Sequence, residues 1–278
     1  MIEILKAALF GLVEGITEWL PISSTGHMIL LEEFVSLNVS DEFWNMFLVV
    51  IQFGAILAVV LLYWDTIWPL GLQKHRRRTR IVWKKDTVDL WIKTIVACIP
   101  AAIVGIAFDD WLDEHFYNWL VVSIMLIVVG AAFLVIENFQ KNREPAVTQL
   151  RDLSMKQAFI IGLFQLIAAV FPGTSRSGAT ILGGLLIGVS RTVAAEFTFI
   201  LAIPVMAGAS LLKIVKFGFD FTMTEAVILL TGMAVAFLVS VLVIRFLMSY
   251  IRQHDFRPFA IYRILLGAVV ILYFTITG

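Results

Sequence analysis

The sequence predicts an all-α integral membrane protein: six transmembrane helices plus two re-entrant helical hairpins, arranged as an inverted-topology repeat. Three observations predict it. The 278-residue chain is 60% hydrophobic and only 15% charged, where a soluble domain carries about one quarter charged residues. Long apolar runs recur along its whole length. Two other apolar stretches are interrupted by Pro/Ser/Gly breaks through which a continuous span does not pass.

The first interrupted stretch is residues 1–30, broken at "EWLPISSTG". Its opening, "MIEILKAALFGLVEG", lacks the charged n-region and cleavage site of a secretory signal. Six full spans are expected near 43–64, 88–108, 116–137, 193–216, 222–247 and 258–277. Each holds about 20 mostly apolar residues, enough to cross about 30 Å of hydrocarbon. Trp44, Trp64, Trp91, Trp111 and Trp119 mark span ends as an aromatic belt does. The second interrupted stretch is residues 155–190, broken at "FPGTSRSG". Broken backbone is tolerated at membrane depth only where it lines a protein-enclosed cavity, so the two breaks should meet inside the protein.

Loop charge orients the chain. The 65–87 loop carries Lys74, Arg76, Arg77, Arg78, Arg80, Lys84 and Lys85 and reads as cytoplasmic. Between two apolar spans this cluster is a topology signal rather than a nucleic-acid site, and no nucleic-acid partner is expected. The acidic "DDWLDEH" connection falls outside, and the 138–156 connection, with Lys141, Arg143, Arg151 and Lys156, inside again. Arg252, His254 and Arg257 mark a third inside loop. The first hairpin therefore enters and leaves from outside and the second from inside. Cys98, the one cysteine, reads as a small buried hydrophobe.

An internal repeat agrees. "GLVEGITEWLPISSTGH" from Gly11 and "GLFQLIAAVFPGTSRSG" from Gly162 match at an offset of 151, pairing Pro21 with Pro172, Ser24 with Ser175 and Glu14 with Gln165. Residues 1–137 form the first repeat, 138–154 a cytoplasmic linker and 155–278 the second repeat. Three spans per half, an odd number, invert one half against the other. Such folds place their sites near the midplane, on the broken helices.

The chemistry-bearing residues sit in those breaks. Glu14 and Glu18, four apart, share a helix face. Two close carboxylates repel, so one holds a proton or the pair shares a cation. Intramembrane carboxylates are functional by default, the bland alternative being a polar pair between helices. In "PISSTGH", Pro21 stops a helix or forces a bend, while Ser23, Ser24 and Thr25 can cap the next one. His27, three residues after Ser24, falls on the same first turn; its bland reading is a packed core histidine. In "PGTSRSGAT", Arg176 is a costly membrane-depth arginine whose planar fork suits phosphate or carboxylate. The helix N-terminus at Ser175, Ser177 and Gly178 would add backbone N–H groups for the same anion. The bland alternative for Arg176 is a salt bridge to a glutamate of the first hairpin. An anion site beside acid and base groups suits phosphoryl transfer.

These motifs resemble the two signatures of the bacterial undecaprenyl-diphosphate phosphatase family, the bacitracin-resistance protein type. The resemblance extends to "IQFGAILAVV" from Ile51 and "AAEFTFILAIPVMAGA" from Ala194 and covers essentially the whole chain. It implies a multi-pass enzyme of the bacterial inner membrane that converts undecaprenyl diphosphate to undecaprenyl phosphate, recycling the carrier for wall polymers, with its site opening to the extracytoplasmic side. It implies a divalent cation, Mg2+ or Ca2+, at Glu14 and Glu18. The family's serine falls on Ser24, its histidine on His27 and its arginine on Arg176, with Ser23, Thr25, Ser175, Ser177 and Gly178 around the phosphate. His27, with a nucleophilic imidazole near neutral pH, is the preferred nucleophile. Ser24 with His27 as base, and direct water attack, stay open. The partners are the lipid substrate, the bilayer and, as a candidate, a second copy of the chain in a homodimer. The competing class is a transporter or flippase of polyprenyl-phosphate lipids on the same repeat; a lipid-binding structural protein is a third.

Overall fold

The computed structural model describes residues 1–75, 78–218 and 220–277, with side-chain detail set aside for 72–75, 78–80, 106, 109, 110 and 113. Arg76 and Arg77 of the basic loop lie outside the described residues. Among those described, six helices are long and apolar enough to cross a membrane. They are α3 (Asp41–Leu62), α5 (Lys85–Phe116), α6 (Trp119–Gln140), α9 (Arg191–Phe217), α10 (Met223–Tyr250) and α11 (Arg257–Thr277). All six expected spans are present. The chain is thus an all-α multi-pass membrane protein.

The interrupted stretches are shorter helix–break–helix units. The first is α1 (Ile2–Thr17) and α2 (Ser24–Phe34); the second is α7 (Met155–Val170) and α8 (Arg176–Leu186). At 16 and 11 residues apiece, none reaches the length of about 20 needed to span. The ends of each unit are tied together. Asn38 N–H donates to Glu3 Oε2 at 2.8 Å and Lys6 Nζ to the Ser36 carbonyl at 2.7 Å, joining the start of α1 to the segment after α2. Ser190 N–H donates to the Val147 carbonyl at 2.9 Å and Ala146 N–H to that of Gly188 at 2.8 Å, joining the segments before α7 and after α8.

The packing pairs helices symmetrically. α1 lies on α10 as α7 lies on α5, while α3 packs on α9 and α6 on α11. The first two contacts use matched glycines. A Cβ on Gly11 would stand 2.3 Å from the Gly232 carbonyl oxygen of α10, and one on Gly162 2.3 Å from the Ala97 carbonyl oxygen of α5. Only a residue without a side chain lets the backbones approach so closely.

Two features depart from expectation. The basic loop contains α4 (Trp64–Ile67) and an antiparallel ribbon, β1 (Leu70–His75) with β2 (Arg78–Trp83), that pairs Leu70 with Trp83 and His75 with Arg78. Helix α5 runs on to Phe116, so "DDWLDEH" is helical rather than a connection. The expected span there followed apolarity, whereas backbone hydrogen bonding continues wherever the chain stays helical.

Candidate active site

Each break is set by a serine in an unusual conformation. Ser23 caps α2 with φ 72°, its hydroxyl accepting from Gly26 N–H at 3.4 Å; Ser175 caps α8 with φ 68°, accepting from Gly178 N–H at 3.1 Å. Positive φ is costly for a residue with a Cβ, and such strain collects at functional sites. The equivalent serines are therefore Ser23 and Ser175, at an offset of 152. The offset of 151 pairs Gly11 with Gly162 and Pro21 with Pro172. Two residues separate Pro172 from Ser175 where one separates Pro21 from Ser23, so Arg176 opens α8 as Ser24 opens α2.

The breaks meet, as expected, across Glu18. This carboxylate follows the last turn of α1 and is buried. Arg176 Nη2 donates to Glu18 Oε1 at 3.0 Å, and Ser24 Oγ donates to Glu18 Oε2 at 2.8 Å. Arg176 Nη1 donates to the Thr198 carbonyl of α9 at 3.0 Å, while its Nε has no hydrogen-bond partner among the described residues. The guanidinium carbon lies 5.8 Å from the centre of the buried Trp19 ring. Ser177 Oγ reaches back to the Glu18 carbonyl at 2.9 Å and stands 3.1 Å from Ser175 Oγ. Glu14, one turn earlier on the same helix face, is 1% exposed, and its Oε1 has no hydrogen-bond partner among the described residues.

Histidine and serine are not joined to each other. His27 Nδ1 lies 2.7 Å from the Ser23 carbonyl, which can only accept, so Nδ1 carries the proton. Nε2 then accepts from the Tyr262 hydroxyl of α11 at 2.7 Å, with the two rings stacked 8° from parallel. The proton acceptor that faces Ser24 is Glu18, not His27. Thr25 lies half-buried beside Ser24. Gly178 N–H and the Ser23 hydroxyl are engaged in caps, so both shape the site before they can contact any anion.

One organiser lies outside the motifs and is not apparent from them. Arg263 of α11 is fully buried, and its guanidinium donates to main-chain carbonyls of both breaks: Nη1 to Pro21 at 3.0 Å, Nη2 to Gly173 at 3.0 Å and to Thr174 at 2.8 Å. Its Nε donates to the Leu126 carbonyl at 3.4 Å. Helix breaks leave carbonyls without intrahelical partners, and a guanidinium with five donors satisfies several at once. An arginine within an apolar span was the available signal. Gly173, with φ 87°, completes the second break, since a Cβ there would stand 2.5 Å from the Val122 carbonyl oxygen.

Glu14 and Glu18 are the residues that would hold a divalent cation, with Glu14 the carboxylate not already engaged by Arg176 or Ser24. Glu14 Oε1 is a buried carboxylate oxygen with no hydrogen-bond partner among the described residues, beside a second carboxylate. Among the described residues no three or more Asp, Glu, His or Cys side chains cluster as a metal cage. Two carboxylates with ligand phosphates completing the shell is how Mg2+ is commonly held.

Comparison with known proteins adds the family. The model of the bacitracin resistance protein BacA family matches residues 7–269. The chain is 61% identical over 275 residues to undecaprenyl-diphosphatase 1 of Clostridium acetobutylicum, covering 99% of this chain and 98% of that protein. It is 59% identical over 275 residues to the undecaprenyl-diphosphatase of Desulfitobacterium hafniense, covering 99% and 97%. It is 58% identical over 271 residues to one from Enterococcus faecalis, covering 98% and 97%. With the two motifs assembled at the junction of the breaks and the match running almost end to end, the chain belongs to the bacitracin resistance protein BacA family.

Proposed function

We propose that this protein is a membrane phosphatase that removes the terminal phosphate of undecaprenyl diphosphate, releasing inorganic phosphate and undecaprenyl phosphate for reuse in cell-wall polymer synthesis. The relatives' names support the substrate. The observation that carries the chemistry is the Glu18 junction, where an arginine fork and a serine hydroxyl from different breaks share one carboxylate.

The arginine is a phosphate clamp held at rest by a carboxylate. A diphosphate, carrying more charge, takes the fork from Glu18. Glu18 then lacks its ion-pair partner and is free to accept the Ser24 proton. Ser24 Oγ attacks the terminal phosphorus; the bond from phosphorus to the bridging oxygen breaks, and its electron pair leaves with undecaprenyl phosphate. Water next attacks the phosphoserine, phosphate departs, and Ser24 Oγ takes a proton back. Ser175 and Ser177 shape the α8 terminus around the anion. A divalent cation held by Glu14 and Glu18 would neutralise phosphate charge as it develops. The serine displaces His27 as preferred nucleophile because it alone contacts the Arg176–Glu18 pair. His27, whose Nε2 becomes a nucleophile once the Tyr262 hydroxyl moves off it, is the second reading.

The helix–break–helix units are read as re-entrant hairpins and the two halves, 1–137 and 155–278, as inverted repeats. The end-to-end ties and the paired contacts support this reading. Loop charge supports a site opening to the extracytoplasmic face. The same symmetry supports the alternative of a carrier-lipid flippase. The test is phosphate release from undecaprenyl diphosphate by purified protein in detergent. Release that stops with chelator and returns with Mg2+ or Ca2+ is expected. Absence of release from folded, cation-replete protein would transfer the case to the transporter.

A further inference from the structure

We propose that Tyr262 is a positioning residue for this site, acting through His27. The inference rests on the proposed phosphatase reading and names a residue that the two signature motifs do not contain. Tyr262 lies 235 residues from His27 in sequence, yet its hydroxyl is 2.7 Å from Nε2 and its ring stacks at 5.6 Å between centroids. The opposite ring nitrogen is fixed on the Ser23 carbonyl at 2.7 Å. Both nitrogens are thereby committed, and the imidazole has one orientation and one tautomer.

What the ring holds in place is the break itself. Ser23 is the residue forced to φ 72°, and Ser24, the next residue, aims its hydroxyl at Glu18. A strained conformation persists only where its surroundings over-determine it. His27 supplies one such restraint from within α2. Tyr262 passes the restraint to α11, whose next residue, Arg263, fixes Pro21 on one break and Thr174 on the other. One turn of α11 thus carries two anchors, Arg263 on the carbonyls of both breaks and Tyr262 on the imidazole that locks the serine. The groups that face the His27 ring are the Ser23 carbonyl, the Tyr262 hydroxyl and the Arg263 side chain.

The test is Tyr262→Phe, which keeps the ring and removes only the hydroxyl. Beside a thermal melt, two readouts are taken on full-length protein in detergent. One is steady-state phosphate release. The other is the rate at which diethyl pyrocarbonate modifies His27, followed peptide by peptide by mass spectrometry, with the exposed His115 and His254 as internal references. The reagent needs the Nε2 lone pair that Tyr262 covers. Expected is a kcat lowered about fivefold to tenfold with KM within about twofold, and His27 modified at least about threefold faster at unchanged reference rates. Tyr262→Leu, which also removes the stacked ring, should lower kcat further. A normal kcat overturns the proposal whatever the reagent shows. A lowered kcat with unchanged His27 reactivity also overturns it, because the tyrosine would then act on substrate directly. If the unaltered protein releases no phosphate, the phosphatase reading has failed, and the reagent rate alone then decides whether Tyr262 holds His27. A Tyr262→Phe protein whose thermal melt falls by more than a few degrees would overturn positioning in favour of simple packing.

Discussion

Arg176 carries the sharpest residue-scale prediction. Its fork contacts Glu18 and the Thr198 carbonyl, and its Nε has no hydrogen-bond partner among the described residues. Lysine keeps the charge but not the planar fork. Arg176→Lys should therefore lower phosphate release by about two orders of magnitude, or roughly 3 kcal/mol in the transition state. Arg176→Ala leaves Glu18 buried and unpaired, which should lower the thermal melt. Adding Glu18→Gln should restore the melt but not turnover. Turnover restored together with the melt would reduce Arg176 to a salt-bridge partner. The nucleophile is settled by a second experiment at this scale. Rapid quench of the turning-over enzyme, followed by mass spectrometry, should place phosphate on Ser24. An acid-labile adduct on His27 would return the assignment to the imidazole.

Among the elements, α11 is the one whose importance the sequence concealed. It reads as an ordinary apolar span, yet Arg263 within it binds the carbonyls of both breaks. Arg263→Met, similar in volume and without donors, should leave those carbonyls unsatisfied and cost about 3–5 kcal/mol. The measurement is a detergent melt, and a shift of less than a few degrees would remove Arg263 from its bracing role. The breaks themselves were legible because Pro21, Pro172 and the adjoining serines and glycines forbid continuous helix. Their meeting at Glu18 was legible only as an alternative for Arg176, since nothing local tells which carboxylate a distant arginine will meet. The His27–Tyr262 contact was not legible at all: it depends on how α2 and α11 pack, 235 residues apart. The β1–β2 ribbon was hidden by its charge, because a run of Lys and Arg obscures the alternation by which strands are found.

At the scale of the whole molecule, the six spans were legible because hydrocarbon thickness fixes their length and apolarity. The extra residue between Pro172 and Ser175, relative to Pro21 and Ser23, was not, because the pairing of Ser24 with Ser175 was read at a single fixed offset. The orientation that the fold implies is testable directly. If α7 and α8 form the re-entrant hairpin proposed above, the segment after α6 and that between α9 and α10 lie at opposite ends of a single span, α9. Loop charge puts the first inside and the second outside. With the lone Cys98 replaced by alanine, Asn142→Cys and Asp220→Cys offer one exposed thiol each. A membrane-impermeant maleimide on intact cells should label the Asp220→Cys protein at once and the Asn142→Cys protein only after lysis. The opposite pattern would invert the molecule and open the first break, with Ser24 and Glu18, toward the cytoplasm. Labelling of both from one side would overturn the proposal that the two halves are inverted repeats whose breaks enter from opposite faces.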